Sequence, residues 1–444
     1  MLFDFVAAFQ RIALGSRMAV DFSLLPPQSP VPDNPPSPFV WSIIFVVLTL
    51  SGIAFVLWSW PPHEKTQTVW FWICTGVLPT CIAGALVLRR FSRFHQRRNR
   101  VLSENAMSKA YVDMVFDVAS EPLAVLATAF RVHASDQENT FEALVARGVS
   151  PPTRPAKESR EMIVASCLEP AAAALAFDDV ERQAAILEWL LRTFIPVITD
   201  ALRTVPVRIP VAVHLDVSST VLSREAIEAI WDSLPAAVRP ERLRGPLTIG
   251  PSDGLWMVDT MLDRTDPLER DVVTALISAN LNVTCADDPP SGSAEAACMM
   301  LLCPAALARK EKLQVGGWMH RPQKESAAPS DAAVHYALKW GRVSRAAIGG
   351  TIQTGFDEST AGRVRVALAA EGRAATGSSG SDFALDTLAG NTSTTAPWLT
   401  AVLALQLVKT HAAPYLAGVQ SNGRVLLAVL APEPERQQNT LTNE

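Results

Sequence analysis

The sequence predicts a layered α/β domain carried behind a hairpin of two membrane-spanning helices. Three observations lead there: two long uncharged apolar stretches near the beginning, a run of arginines directly after the second, and, beyond it, apolar segments whose spacing alternates between strand and helix. A hydrophobic fraction of 49% and a mean hydropathy of +0.18 fit a chain that is only partly soluble.

The first apolar stretch, 39–60, and the second, 69–88, contain no charged residue. Each is long enough to cross a hydrocarbon layer of roughly 30 Å. Trp41, Trp58 and Trp60 flank the first and Trp70 and Trp72 open the second, as an interfacial aromatic belt requires. Pro79 is expected to kink the second helix. Only "PPHEKTQT" separates the two, so they should turn back on each other and place both ends on one side. Arg89, Arg90, Arg93, Arg97, Arg98 and Arg100 follow at once. By the positive-inside rule they mark the cytoplasmic face and suit anionic lipid headgroups; in that position they need no nucleic acid to explain them. The expected location is a bacterial inner membrane, with both termini cytoplasmic. The first span starts too far from Met1, and without a small-residue cleavage pattern, to read as a signal peptide.

Ahead of the hairpin, residues 1–38 begin with an amphipathic stretch and continue as "LLPPQSPVPDNPPSP", whose prolines predict an extended spacer. Of 39 basic and 44 acidic residues, nine and four lie in the first hundred, which leaves 101–444 with a net charge of −10. An acidic domain of this kind is a poor non-specific partner for nucleic acid. The six cysteines show no C-x-x-C pair, so neither a zinc knuckle nor a redox motif is indicated. Cys74 and Cys81 fall in the second span, and Cys167, Cys285, Cys298 and Cys303 suit a reducing compartment as small buried side chains.

In the soluble part, 181–203 has helical spacing, and "VRIPVAVHLDV" (207–217) reads as a strand. Ser223 is placed to cap the helix "REAIEAIWDSL". "GPLTIG" and "LWMVDTML" read as strands, and "LERDVVTALISAN" and "SAEAACMMLLCPAALARKEK" as helices. "LQVGGWMHRP" reads as a strand, and "DAAVHYALKWGR", "ESTAGRVRVALAAE" and "PWLTAVLALQLVKTH" as helices, the last opened by Pro397. "YLAGVQSNGRVLLAVLAP" closes the chain as a hairpin. "GSSGSDF" and the tail 435–444 read as loop and disorder. The expected divisions are 1–38, the hairpin with its basic cluster at 39–100, two halves of one domain at 101–308 and 309–434, and the tail.

The order of "DGLWMVDTMLDRTDPLERDV", "GGWMHRP", a helix with "ALKW", "LAGNTSTTAPWLTAVLAL" and a final apolar strand, over about half the chain, resembles the thiolase-like domain of the lipase-effector adaptor family of type VI secretion. That resemblance implies a membrane-anchored or membrane-proximal cytoplasmic protein; this chain is expected to be non-catalytic, with no cofactor or metal. It would bind a protein effector, a phospholipase in that family, and hand it to a component of the secretion spike. This chain departs from the family in having a two-span hairpin in place of a single anchor.

More distantly, the same region is similar to the C-terminal half of β-ketoacyl synthases. Their Gly-His falls on Gly390-Asn391, and no histidine occurs in Gly349–Asp357, where they have His-Gly-Thr-Gly-Thr. Condensation needs an activated thiolate and two imidazoles, and asparagine takes up no proton. The turn at Gly390 therefore reads as architecture kept after its chemistry was lost.

His320, Arg321, Trp340 and Asn391 are the candidates for a structural or partner-binding role. Arg321 is expected to grip a carboxylate bidentately while His320 bonds backbone. The rival reading is an acyl-processing enzyme with Cys285 or Cys298 as nucleophile and His320 as base, which requires sulfur and imidazole to converge. His214 and Asp216, two apart on a strand, lack a third partner for a metal site. Neither G-x-S-x-G nor G-x-x-x-x-G-K-[ST] occurs. A plain structural subunit of an envelope complex is the third alternative.

Overall fold

The computed structural model describes residues 25–61, 66–148, 152–157, 161–264, 271–326, 331–369, 381–421 and 423–433. The expectations for the N-terminal amphipathic stretch, the tail 435–444 and "GSSG" lie outside these residues. Among the described residues the chain separates into two compact units, the first ending at Val115 and the second beginning at Phe116.

In the first unit, α1 (Pro38–Ser59) and the helical run α2 (Val69–Ala119), which ends in the second unit, are both long and apolar enough to cross a membrane. The two pack antiparallel: a Cβ on Gly52 would lie 2.7 Å from Pro79, and one on Gly84 would lie 3.8 Å from the Phe45 ring. Thr68 caps the start of α2 by accepting from the Phe71 amide. Ile73–Val77 is a π-helical turn just ahead of Pro79. Proline lacks an amide proton and crowds the preceding turn, and a widened turn relieves both problems, so the kink expected at Pro79 takes this form. The hairpin's second helix continues without a break well beyond residue 100, the boundary expected from the sequence, as far as Ala119. Residues 26–37 have no regular structure, as their prolines require. They are nonetheless pinned, with the Ser29 amide donating to Asn105 Oδ1 (2.9 Å) and Asn105 Nδ2 donating to the Ser29 carbonyl (2.8 Å).

The second unit contains, in order, β1 (Leu123–Arg131), α3 (Phe141–Gly148), β2 (Thr153–Pro155), β3 (Met162–Val164), α4 (Asp179–Leu202), β4 (Val211–Ser218), α5 (Arg224–Ser233), β5 (Leu247–Ile249), α6 (Trp256–Leu262), β6 (Val273–Asn280), β7 (Ala296–Pro304) and α7 (Ala305–Glu311). It continues with β8 (Gly317–Met319), β9 (Gln323–Ser326), α8 (Asp331–Gly341), β10 (Gly350–Thr354), α9 (Glu358–Ala369), β11 (Ser381–Ala384), α10 (Leu385–Leu388), α11 (Ala396–His411), β12 (Tyr415–Ser421) and β13 (Arg424–Ala431).

The main sheet runs β11-β10-β12-β13-β8-β1-β7-β6-β4-β5, with β9 on β13. Counted within each half, both β5-β4-β6-β7-β1 and β11-β10-β12-β13-β8 read third, second, fourth, fifth, first. In each half the first three are parallel to one another and the last two antiparallel. The domain is thus a duplicated mixed α/β fold, joined where β1 meets β8. The repeats divide between Glu311 and Gly317, so the expected boundary at 308/309 falls inside α7.

Three clusters of buried side chains separate the layers. One packs α4 on the outer face of β4, β6 and β7; another packs α6 and α11 on their inner face and against β12 and β13; the third packs α8 and α9 outside β12 and β13. The central helix α11 has sheet on two sides, which is why it is apolar nearly all round.

Several elements differ from the sequence reading. "LWMVDTML" is helical (α6), whereas "VVTALISAN" and "AACMMLLCP" are the central strands β6 and β7, buried at nearly every residue. A run buried on both faces loses the alternation that betrays a strand, and here it consists largely of helix-favouring Ala, Leu and Met. Ser381–Phe383, read as loop, forms the edge strand β11. Ser223 caps α5 as expected, accepting from the Ala226 amide at 3.2 Å.

Candidate functional site

The turn ahead of α11 is built on glycine. Gly390 has φ +88°, and a Cβ there would lie 3.0 Å from the Ala294 Cβ and 3.1 Å from the Gly292 carbonyl. The close approach lets the Asn391 amide donate to the Gly292 carbonyl (2.8 Å) and its carbonyl accept from the Ala294 amide (2.9 Å). Asn391 spends its side-chain oxygen on the Ser393 amide (2.9 Å), holding Ser393 at φ +48°. Thr395 Oγ1 and Ser278 Oγ lie 3.0 Å apart, Trp398 Nε1 donates to Ser252 Oγ (2.8 Å), and Ser252 Oγ donates to Asp216 (2.5 Å). Pro397 packs over Gly254, itself at φ +57°.

Beside this turn lies a cavity of about 250 Å3, lined among others by Arg147, Ser166, Ser293, Asp386, Leu388 and Gly390. Arg147 donates to Ser166 Oγ (2.7 Å) and the Val132 carbonyl (3.3 Å), and burial lowers its pKa. Asp386 accepts from Thr354 Oγ1 (2.8 Å) and the Gly355 amide (2.6 Å). Among the described residues, neither a thiol nor an imidazole lines the cavity. Its chemistry is that of hydrogen bonding to a ligand, with one guanidinium and one carboxylate already engaged.

The cysteine and histidine of the enzymatic reading do not converge. Cys298 pairs across the sheet with Phe130 of β1, whereas Met319, next to His320, pairs with Leu123 of the same strand. Seven residues of extended chain separate these points, roughly 20 Å. Burial, with Asp216 nearby, pushes the Cys298 thiol well above its ordinary range, and burial raises Cys303 to about 12. Cys285 is exposed, but it follows the end of β6 that pairs with the start of β7, away from the His320 end of the sheet.

His320, Arg321 and Trp340 are brought together and are all buried. Arg321 binds Asp259 and, at 2.8 Å, Asp263, and its Nε donates to the Ala119 carbonyl (3.0 Å). The expected bidentate grip on one carboxylate is therefore divided between two. The guanidinium also lies 6.0 Å from the Trp340 ring centre, and Trp340 Nε1 donates to Gln323 (3.0 Å). Burial raises Asp259 to about 6 despite Arg321. The His320 amide donates to the Val429 carbonyl (2.9 Å). Burial lowers its imidazole to about 4, against a backbone hydrogen bond with Trp340. Asp259, on α6, and Asp263, its C-cap, are absent from the candidates and sit one turn apart; their i, i+4 spacing points to a shared face once the segment is read as a helix.

Asn391 lies at the other end of the sheet, where β7 begins, and does not join this group. His214 and Asp216 share a face of β4, burial lowering the first and raising the second. No metal-holding group of His, Cys, Asp or Glu occurs among the described residues. Arg89, Arg90, Arg93, Arg97, Arg98 and Arg100 are all exposed along α2, and Arg100 pairs with Glu104 at 2.8 Å.

No family model and no curated protein matches the sequence. Among solved structures the chain is similar to the ketosynthase from module 6 of the bacillaene synthase of Bacillus subtilis 168, at 15% identity and a TM-score of 0.47, covering 71% of each chain. It is similar also to an oxazolomycin ketosynthase domain of Streptomyces albus, at 16% identity and a TM-score of 0.44, covering 71% of this chain and 96% of that one. With the ishigamide ketosynthase/chain length factor the identity is 15% and the TM-score 0.45, covering 70% and 99%. Likeness at this level carries no argument about activity.

Proposed function

We propose that this chain is a membrane-tethered, non-catalytic adaptor. Its thiolase-like domain would bind a protein effector, a phospholipase in the resembled family, and pass it to a component of a type VI secretion spike. The hairpin would hold it in a bacterial inner membrane, with both termini cytoplasmic and Arg89–Arg100 against anionic headgroups.

The observation that supports this reading best is the turn at Gly390. It offers an asparagine whose side-chain oxygen holds the turn and which takes up no proton, beside a cavity that neither a thiol nor an imidazole lines among the described residues. The acyl-processing alternative has its cysteines and His320 at opposite ends of the sheet.

Two measurements on the detergent-solubilised full chain test the proposal. Incubation with acyl and malonyl thioesters should release no thiol above background, and affinity purification from membranes should recover an effector and a spike component. Thioester turnover abolished by Cys298→Ala or Cys285→Ala would overturn it.

A further inference from the structure

Phe177 is 93% exposed and Leu175 83% exposed, an unusual display for two large apolar side chains two residues apart. The loop that carries them is firmly built. The Ala173 amide donates to the Pro170 carbonyl (2.9 Å) and the Ala176 amide to the Ala173 carbonyl (3.3 Å). Asp178 caps α4 by accepting from the Glu181 amide (2.8 Å), and Glu181 reaches back to accept from the Phe177 amide (3.1 Å). The loop's other end is fixed through Leu168: its amide donates to Glu295 (2.7 Å), its carbonyl accepts from Arg182 (3.1 Å), and Arg182 and Glu295 form a buried ion pair at 2.6 Å. A loop already ordered gives up little entropy on binding, so its exposed aromatic and aliphatic tips are suited to act as anchors.

The rim identifies the occupant. Glu169, Asp178 and Glu181 are exposed, and no lysine or arginine occurs from Met162 to Glu181; the cations that reach this stretch, Arg154 at Cys167 and Lys157 at the Cys285 carbonyl beside Asp179, are already engaged. Anionic lipid headgroups, or the same surface of a second copy, would bring like charge to like. We propose that the loop Leu175–Phe177 is a docking site for a protein partner whose apolar pocket is bordered by lysine and arginine. This rests on the adaptor reading and names the surface that reading lacks.

The test places a photo-crosslinking amino acid at position 177 of the full chain, irradiates cells of the source organism, and identifies the product. The captured protein is then purified and its Kd for the detergent-solubilised chain measured. The expected result is one protein bound at least tenfold more weakly by the Leu175→Ser/Phe177→Ser variant and also by the parent at raised salt, with an unchanged melting temperature. Crosslinks only to lipid, or only to a second copy, overturn the proposal. So does an equal Kd for parent and variant, or a partner that co-purifies without crosslinking at 177; either leaves the adaptor reading standing. Failure of the parent to retain any partner in both assays overturns the two together.

Discussion

Arg321 joins three parts of the second unit through one side chain: the carboxylates of Asp259 on α6 and Asp263 at its C-cap, the last carbonyl of α2 and the face of Trp340. Arg321→Ala would leave Asp259 buried without its cation, and removing one partner of such a pair costs about 3 kcal/mol or more. Denaturant unfolding of the variant should show that loss, and unchanged stability would remove Arg321 from any structural role. His320 gives a pH signature. Its native pKa of about 4 lies below the ordinary 6.5, so the unfolded chain takes up the proton first. Its contribution is therefore present above pH 6.5 and is lost as the pH falls towards 4, on the order of 3 kcal/mol over that window. Asp259, raised to about 6, works in the opposite direction over much of the same range, so the comparison to make is parent against His320→Gln. The stability gap between them should narrow between pH 7 and pH 4.5; a gap independent of pH would contradict the assignment. Both candidates stand out in "WMHRP", where Arg321 is a charge that needs a partner, but the partners are hidden because "LWMVDTML" has the look of a strand and is a helix.

At the scale of elements, the hairpin depends on one close approach. Gly52 meets Pro79, the residue that also forces the π-turn, whereas a Cβ on Gly76 within that turn would meet nothing within 4 Å. Gly52→Leu should therefore push the helices apart at a cost on the order of 1–3 kcal/mol, while Gly76→Ala should not. In a cysteine-free background, disulfide formation between cysteines placed at 45 and 84 should fall several-fold in the first variant and stay level in the second; equal crosslinking in both would refute the packing role. The sequence disclosed the two spans, which have no polar face, α4, α5 and α8, which have one, and the hairpin of β12 and β13, which its "SNG" turn betrays. It concealed β6 and β7, whose residues are buried on both sides and so lack a period, and β1 lies in a stretch to which the sequence reading assigns no element. The turn at Gly390 was legible because its chemistry is local. The cavity beside it was not, since it is lined from Arg147, Ser166 and Asp386, far apart in the chain.

At the scale of the whole molecule, the proposed arrangement makes a directional claim. A reporter inserted at Pro62 should be translocated and one at the C-terminus should not, and a translocated C-terminal reporter would reverse the orientation drawn from the arginines. The duplication itself lies in strand order, which no local sequence pattern reports. That order also bears on how the chain is made. Leu123 pairs with Pro304, so the first half cannot close its sheet until β7 has left the ribosome, and β8 then waits for β13. Pairings so distant in sequence form slowly and leave apolar strands uncovered in the meantime. Both apolar spans are synthesised before any of these strands. If they insert as they emerge, each nascent domain waits at the bilayer, held apart from its siblings during the interval when aggregation would compete with folding.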